Sequence, residues 1–332
     1  MKKIKSRLAI ILTVMMIISL FEVVGVFAGS EDGAKDSSTV TAQQTASLEL
    51  ETHNSFESVR FMWNDVGAAY YKVSENGGAE KVVSNLPTEY GKYQYNVKAA
   101  PGSGAKLTVK AYNDQNGLIE EATASNSAVQ NGLYRVRIKK GGTLKSHGGP
   151  RKTIRISKGQ YIYAYGFGGG KYIFKDGDSI FYCNKSRTNK RSVIFQRGWN
   201  YSRRDAECFV NDRGVGSGTN HLVWVNVYCQ HMYFFDKVNG RWKCTDDWEC
   251  STGKASTPAP TGVSGMKTIH KKIKKRHGIP YWSCYSDINS IHGKKKKWSM
   301  GAPKSNGCIR NPNEKAYIVY VYGGKGTRVY IY

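Results

Sequence analysis

The chain has 332 residues, 40 % of them hydrophobic and 23 % charged, which is enough for two or three cores and excludes both wholesale disorder and a disulfide-stapled miniprotein. Fifty Lys and Arg against twenty-five Asp and Glu give +25, unevenly placed: residues 29–130 sum to −5, residues 131–218 to +14 and residues 219–332 to +13. An acidic module therefore precedes a basic body drawn to polyanions, and with 36 Gly, 22 Tyr and 7 Trp among few long helical patterns, all-helical architectures are excluded.

At the N-terminus, Lys2, Lys3, Lys5 and Arg7 precede the apolar run Leu8 to Leu20, and Val26 and Ala28 stand three and one residues before Gly29. This pattern predicts a secretory signal over 1–28, with an uncleaved anchor as the rival reading. Either way the body is exported and associated with a wall, so nucleic acid is not its expected partner and a membrane is one only if the segment is retained. A polar stretch rich in Ser, Thr, Ala and Gln predicts a linker over 29–47.

Short alternating runs follow: Val59–Trp63, Ala69–Val73, Tyr93–Val97 and Leu107–Tyr112, separated by Gly, Pro and Asn turns. They predict a β-sandwich over 48–125, and Trp63 with the later Tyr-x-Tyr-x-Val run resembles a fibronectin type III or immunoglobulin-like module. Runs at Tyr134–Ile138, Thr153–Ile156, Gln160–Tyr165 and Lys171–Phe174 predict a small β-module over 131–205. Its Gly166-Phe-Gly-Gly-Gly170 stretch lacks the strand–loop–helix context of a phosphate loop and reads as a hairpin turn. Exposed Tyr, Arg and Lys there are either a solvated basic face or a grip on glycan or anionic wall polymer.

From 206 to 332 the chain opens with Leu222–Tyr228 and Met232–Phe235 as strands and turns at Asn239-Gly240. It closes with a helix over Asn313–Tyr322, started by Pro312 and ended by Gly323-Gly324, then a strand over Arg328–Tyr332. The fold expected is mainly β: an N-terminal sandwich, a small middle module, and a β-rich C-terminal domain with one or two short helices.

The seven cysteines, Cys183, Cys208, Cys229, Cys244, Cys250, Cys284 and Cys308, are an odd number, so at least one lacks an intramolecular partner. Disulfides among the first six and buried free thiols both stay open. No CxxC pair or Cys/His cluster supports a metal site. Cys308 differs from the rest because Gly307 precedes it and His292 stands sixteen residues upstream. A free thiol is only a few per cent ionised near neutrality, so cysteine acyl transfer needs an imidazole to take its proton. Gly307 lets the backbone turn its N–H groups toward an oxyanion, and Arg310 is suited to a bidentate carboxylate.

In chain order, Ser251-Thr-Gly253, Thr257-Pro, Pro260-Thr-Gly262, Ile291-His-Gly293 and Gly301-Ala-Pro-Lys-Ser-Asn-Gly-Cys-Ile-Arg310 resemble YkuD-type L,D-transpeptidases. The resemblance implies a peptidoglycan cross-linking enzyme without metal or cofactor, acting on stem peptides. It makes Cys308 the nucleophile and His292 of the His292-Gly293 pair the base and later acid. N–H groups around Gly307 and Cys308 form the oxyanion hole, and Ser305 and Arg310 shape the pocket. Many members carry Ser-His-Gly-Cys where this chain has Ser305-Asn306-Gly307-Cys308. Asn306 keeps hydrogen-bonding capacity but cannot titrate, so rate and pH optimum are affected rather than reaction type. The alternatives are a non-catalytic wall-binding or adhesion protein on a decayed transpeptidase fold, and a carboxypeptidase or protein-anchoring activity with the same thioester. Lys294–Lys297 read as a solvated run, with a substrate-attracting rim as the alternative, and His221, His231, His270 and His277 receive no role.

Overall fold

Strict apolar–polar alternation over five to nine residues builds sheets with one face buried, and this chain uses that device repeatedly. The computed structural model describes residues 47–261 and 265–332; the expected signal over 1–28, and 29–46 of the expected linker, lie outside them. Eight strands come first: β1 (Glu51–Asn54), β2 (Ser58–Trp63), β3 (Tyr70–Glu75), β4 (Lys81–Val83), β5 (Thr88–Glu89), β6 (Lys92–Lys98), β7 (Gly104–Tyr112) and β8 (Leu118–Ser127). They pair into antiparallel sheets β1-β2-β6-β5 and β4-β3-β7-β8. Phe61 and Trp63 of one sheet and Val73, Leu107 and Val109 of the other meet in one core.

Eight more strands follow: β9 (Leu133–Ile138), β10 (Gly142–Lys145), β11 (Thr153–Ile156), β12 (Tyr161–Ala164), β13 (Gly166–Gly168), β14 (Lys171–Asp176), β15 (Ser179–Asn184) and β16 (Thr188–Ile194). Sheets β12-β9-β16 and β13-β14-β15 enclose Tyr134, Val136, Tyr172 and Phe181, and β10 pairs with β11. The glycine-rich stretch turns β13 into β14 through Gly169 and Gly170, both at positive φ.

The C-terminal region opens with helix α1 (Arg203–Asp212), which straddles residues 205 and 206, where the sequence suggested a boundary. Next come β17 (His221–Asn226), β18 (His231–Val238), β19 (Arg241–Glu249), β20 (Met266–Thr268), β21 (Lys271–Arg276), β22 (Ile279–Cys284), β23 (Ser290–His292), β24 (Ile309–Arg310), α2 (Asn313–Val321) and β25 (Arg328–Ile331). One sheet runs β19-β18-β17-β25-β20 and the other β21-β22-β23-β24. β17 is covered on both sides. Leu222 and Trp224 pack on Phe209 of α1, while Val223 and Val225 pack on Ile291, Ile309 and Val319 beyond the other face. Double burial explains why this strand reads as a continuous apolar run rather than an alternating one.

α1 also carries the contact with the first sandwich. Asn54 N–H donates to Asp205 Oδ1 at 2.7 Å, Phe56 meets Phe209 edge-on at 5.8 Å, and the Arg204 guanidinium lies 3.9 Å over the Tyr90 ring. Arg60, buried, bridges Glu89 and Asp212.

Candidate active site

The site rests on a two-rung parallel ladder: Ile291 pairs with Ile309 and His292 with Arg310. Both isoleucines are fully buried in the shared core. Because side chains alternate along a strand, Ser290 and His292 on β23 face the opposite side, together with Cys308 and Arg310. Trp282 is the neighbour they share: His292 stacks on its ring and Cys308 packs in the cluster that contains it, which puts both side chains on one side of the ladder.

His292 is 3 % exposed and stacks on Trp282 with ring centroids 4.2 Å apart. Its Nδ1 lies 2.6 Å from the Gly293 carbonyl oxygen. A carbonyl only accepts, so Nδ1 carries the proton and Nε2 keeps a free lone pair. Gly293 must be glycine here, since a Cβ would stand 2.5 Å from Asn313 Oδ1 and 2.9 Å from Pro280 Cγ. Burial pushes the imidazole down to about 4; the Gly293 hydrogen bond opposes this and the Arg310 charge adds to it.

Cys308 is half-buried, packed in the apolar cluster of Trp282, Cys284 and Trp298, with Sγ 3.9 Å from the Ile288 carbonyl. Burial pushes its thiol up, while the Ser290 N–H and the charges of Arg310 and Arg276 pull the other way. At neutral pH the two groups therefore rest as neutral thiol and neutral imidazole. All seven cysteines are free; Cys308 alone is not buried.

The turn before the thiol is tightly specified. Gly307 sits at φ 112°, and a Cβ there would stand 2.6 Å from Asn289 Oδ1. Buried Ser305 accepts from the Gly307 N–H at 3.1 Å and donates to the Cys308 carbonyl. This bears on which N–H groups are free at the turn. The Gly307 N–H is already engaged, because a hydroxyl two residues back is its nearest acceptor. The Cys308 N–H is the donor of that pair left without an acceptor among the described residues. Asn306 is exposed and hydrogen-bonds to nothing among the described residues, so its expected hydrogen-bonding capacity is turned to solvent. Arg310 lies 3.9 Å over the Trp298 ring, which positions its charge at the rim.

The Ser251-Thr-Gly253 segment runs alongside the nucleophile turn. Ser251 and Arg310 exchange backbone hydrogen bonds at 2.9 Å, and Ser305 N–H donates to Thr252 O at 3.0 Å. Several supporting residues escaped the sequence reading. Trp282 and Trp298 wall the site, and Tyr285 donates its hydroxyl to the Gly307 carbonyl at 3.1 Å. Buried Asn311 donates its backbone N–H to the His292 carbonyl at 3.0 Å and accepts from Trp248 Nε1 at 2.7 Å. Trp298 was the most accessible of these, since it ends the lysine run directly downstream of His292. Of that run, Lys295 to Lys297 are exposed, and Lys294 Nζ donates to Trp298 O at 3.0 Å.

A thiol and a neutral imidazole packed around one tryptophan of a β-rich domain, with a glycine turn at positive φ before the sulfur, are the components that the sequence led us to look for. Residues 220–331 match the family model of the L,D-transpeptidase catalytic domain, YkuD, and the C-terminal region of this chain is a YkuD domain. Among solved structures, the chain is similar to a fused Zn-dependent amidase/peptidase/peptidoglycan-binding domain-containing protein from Clostridium acetobutylicum ATCC 824, at 23 % identity over 39 % of this chain and 59 % of that one, TM-score 0.34. It is also similar to an L,D-transpeptidase from Stackebrandtia nassauensis, at 16 % identity over 36 % and 58 %, TM-score 0.30. A third is an Enterococcus faecium L,D-transpeptidase, at 18 % identity over 49 % and 74 %, TM-score 0.30. The chain thus spans less than two thirds of the first two structures. No curated protein matches it.

Proposed function

We propose that this chain is an exported L,D-transpeptidase that acylates Cys308 with a peptidoglycan tetrapeptide stem and passes the acyl group to an amine of an acceptor stem. What supports the reading is that His292 and Cys308 both pack on Trp282, with the His292 tautomer set by the Gly293 carbonyl so that Nε2 keeps a lone pair for a proton. In this reading the sulfur attacks the carbonyl of the donor's L-configured residue as its proton passes to Nε2, which spares the site a standing ion pair in a buried setting. The Cys308 N–H donates to the oxyanion. The imidazolium then protonates the departing amine, D-alanine leaves, and a thioester remains. The acceptor amine attacks the thioester, its proton goes to Nε2, and the thiol re-forms when the imidazolium returns that proton to sulfur. The signal pattern at the N-terminus supports an extracytoplasmic, wall-associated setting, with the two β-rich modules as spacers.

Incubation with a carbapenem or a tetrapeptide-stem muropeptide should give a covalent adduct by intact mass that is absent in Cys308→Ala. An adduct that persists in that variant overturns the assignment. Muropeptide analysis of treated sacculi then separates cross-linking from hydrolysis, because water as acceptor yields tripeptide stems without new cross-links.

A further inference from the structure

The middle module presents a second feature that the acyl-transfer site does not use. Residues 131–200 contain sixteen lysines and arginines and only two carboxylates. Of the sixteen, Lys152 alone has a carboxylate partner among the described residues, Asp176 at 2.8 Å. A folded unit that leaves so much like charge uncompensated destabilises itself by repulsion, so the excess calls for a partner of opposite sign.

The charge has a structured focus. On the outer face of sheet β12-β9-β16, Tyr161 pairs with Arg137 and Tyr163 with Arg135. The tyrosines are 39 % and 56 % exposed, and the Arg135 guanidinium lies 4.2 Å over the Tyr161 ring. Alternate residues on one strand stand roughly 7 Å apart, so the two arginines repeat along β9 at the scale of a chain carrying regularly spaced charges. Guanidinium forks match phosphate oxygens, and the tyrosine faces offer flat contact for the sugar or polyol between them. Aliphatic side chains that would insert into a bilayer are missing from these cross-strand pairs.

We propose that this tyrosine–arginine face of the middle module binds an anionic wall polymer built of repeating phosphodiesters, holding the enzyme on the wall independently of Cys308. The choice of a wall polymer over other phosphodiester chains rests on the transpeptidase reading; the binding itself does not.

The test is cosedimentation of the purified chain with sacculi that carry their phosphodiester polymer and with sacculi stripped of it by hydrofluoric acid. Anionic phospholipid vesicles and single-stranded DNA serve as further arms at matched phosphate. Binding should be salt-sensitive, largely lost on stripped sacculi, and weakened about tenfold by Arg135→Ser/Arg137→Ser/Tyr163→Ser at unchanged melting temperature. A control that removes two lysines from the first sandwich, Lys98→Ser/Lys106→Ser, should change it by less than about twofold. Equal binding to stripped sacculi, preference for vesicles or DNA, or an equal loss in the control overturns the proposal. The carbapenem adduct is read on the same samples: its absence with binding intact removes the transpeptidase reading and leaves this one standing.

Discussion

At the residue scale, the decisive feature is that burial drives His292 and Cys308 in opposite directions, both toward neutrality. With the imidazole held near 4, the base stays unprotonated through the mildly acidic range, so the acid limb of the acylation rate should fall near pH 4 rather than near the ordinary 6.5. A pH profile of carbapenem acylation by stopped-flow fluorescence checks this, and a limb near 6.5 contradicts it. The same depression has a stability cost. The unfolded chain takes up a proton on His292 below about 6.5 and the native state only below about 4, so stability is complete above 6.5 and falls by up to about 3 kcal/mol as pH drops through that window. His292→Ala should lower the acylation rate at neutral pH by about a hundredfold or more. Asn306→His should leave it intact or raise it, because position 306 is exposed. Gly307→Ala should lose acylation, since both its φ and the Asn289 contact forbid a side chain without moving the turn. The two groups proposed to react were legible in the sequence as a spaced Cys and His. Their supports were not: Tyr285 and Asn311 act through single hydrogen bonds to backbone carbonyls, and only the folded register determines which carbonyls those are.

At the element scale, the alternating strands and α2 were readable because their signals are local: period-two burial, Pro312 at the start of the helix, glycines after it. α1 was overlooked although its start is written out. Ser202 accepts from the Asp205 N–H at 3.0 Å as an N-cap, and Ala206, Phe209 and Val210 recur at helical spacing. Its brevity and three surrounding arginines masked the apolar stripe. Ser202→Ala should cost about 1 kcal/mol. Phe209→Ala should cost about 3–5 kcal/mol in urea denaturation, because the ring is fully buried and stacks on Trp224 at 4.1 Å. A loss below 1 kcal/mol would show that α1 is peripheral to the core. The basic stretch from Lys267 forms β20 and β21, whose lysines are legible as charge; β21 pairs with β22 across the short His277-Gly278 turn, while β20 pairs with β25, distant in sequence.

At the scale of the whole molecule, the first sandwich and the YkuD domain meet through α1, and Arg60 is the joint. Removing one partner of a buried charge cluster strands the others, so Arg60→Ala should lower stability by about 3–5 kcal/mol and raise protease sensitivity around α1, measured by limited proteolysis and thermal melting. β23 and β24, by contrast, share only two rungs, and the chain leaves the sheet between them for residues 293–308 before returning. Both ends of that excursion are pinned, at Gly293 by neighbouring atoms and at Ser305 by backbone hydrogen bonds, while Lys295 to Lys297 project outward. The exposed lysines between those pins can therefore be exchanged without moving Trp298, Ser305 or Gly307, which separates the charge presented to solvent from the packing that holds Cys308 and His292.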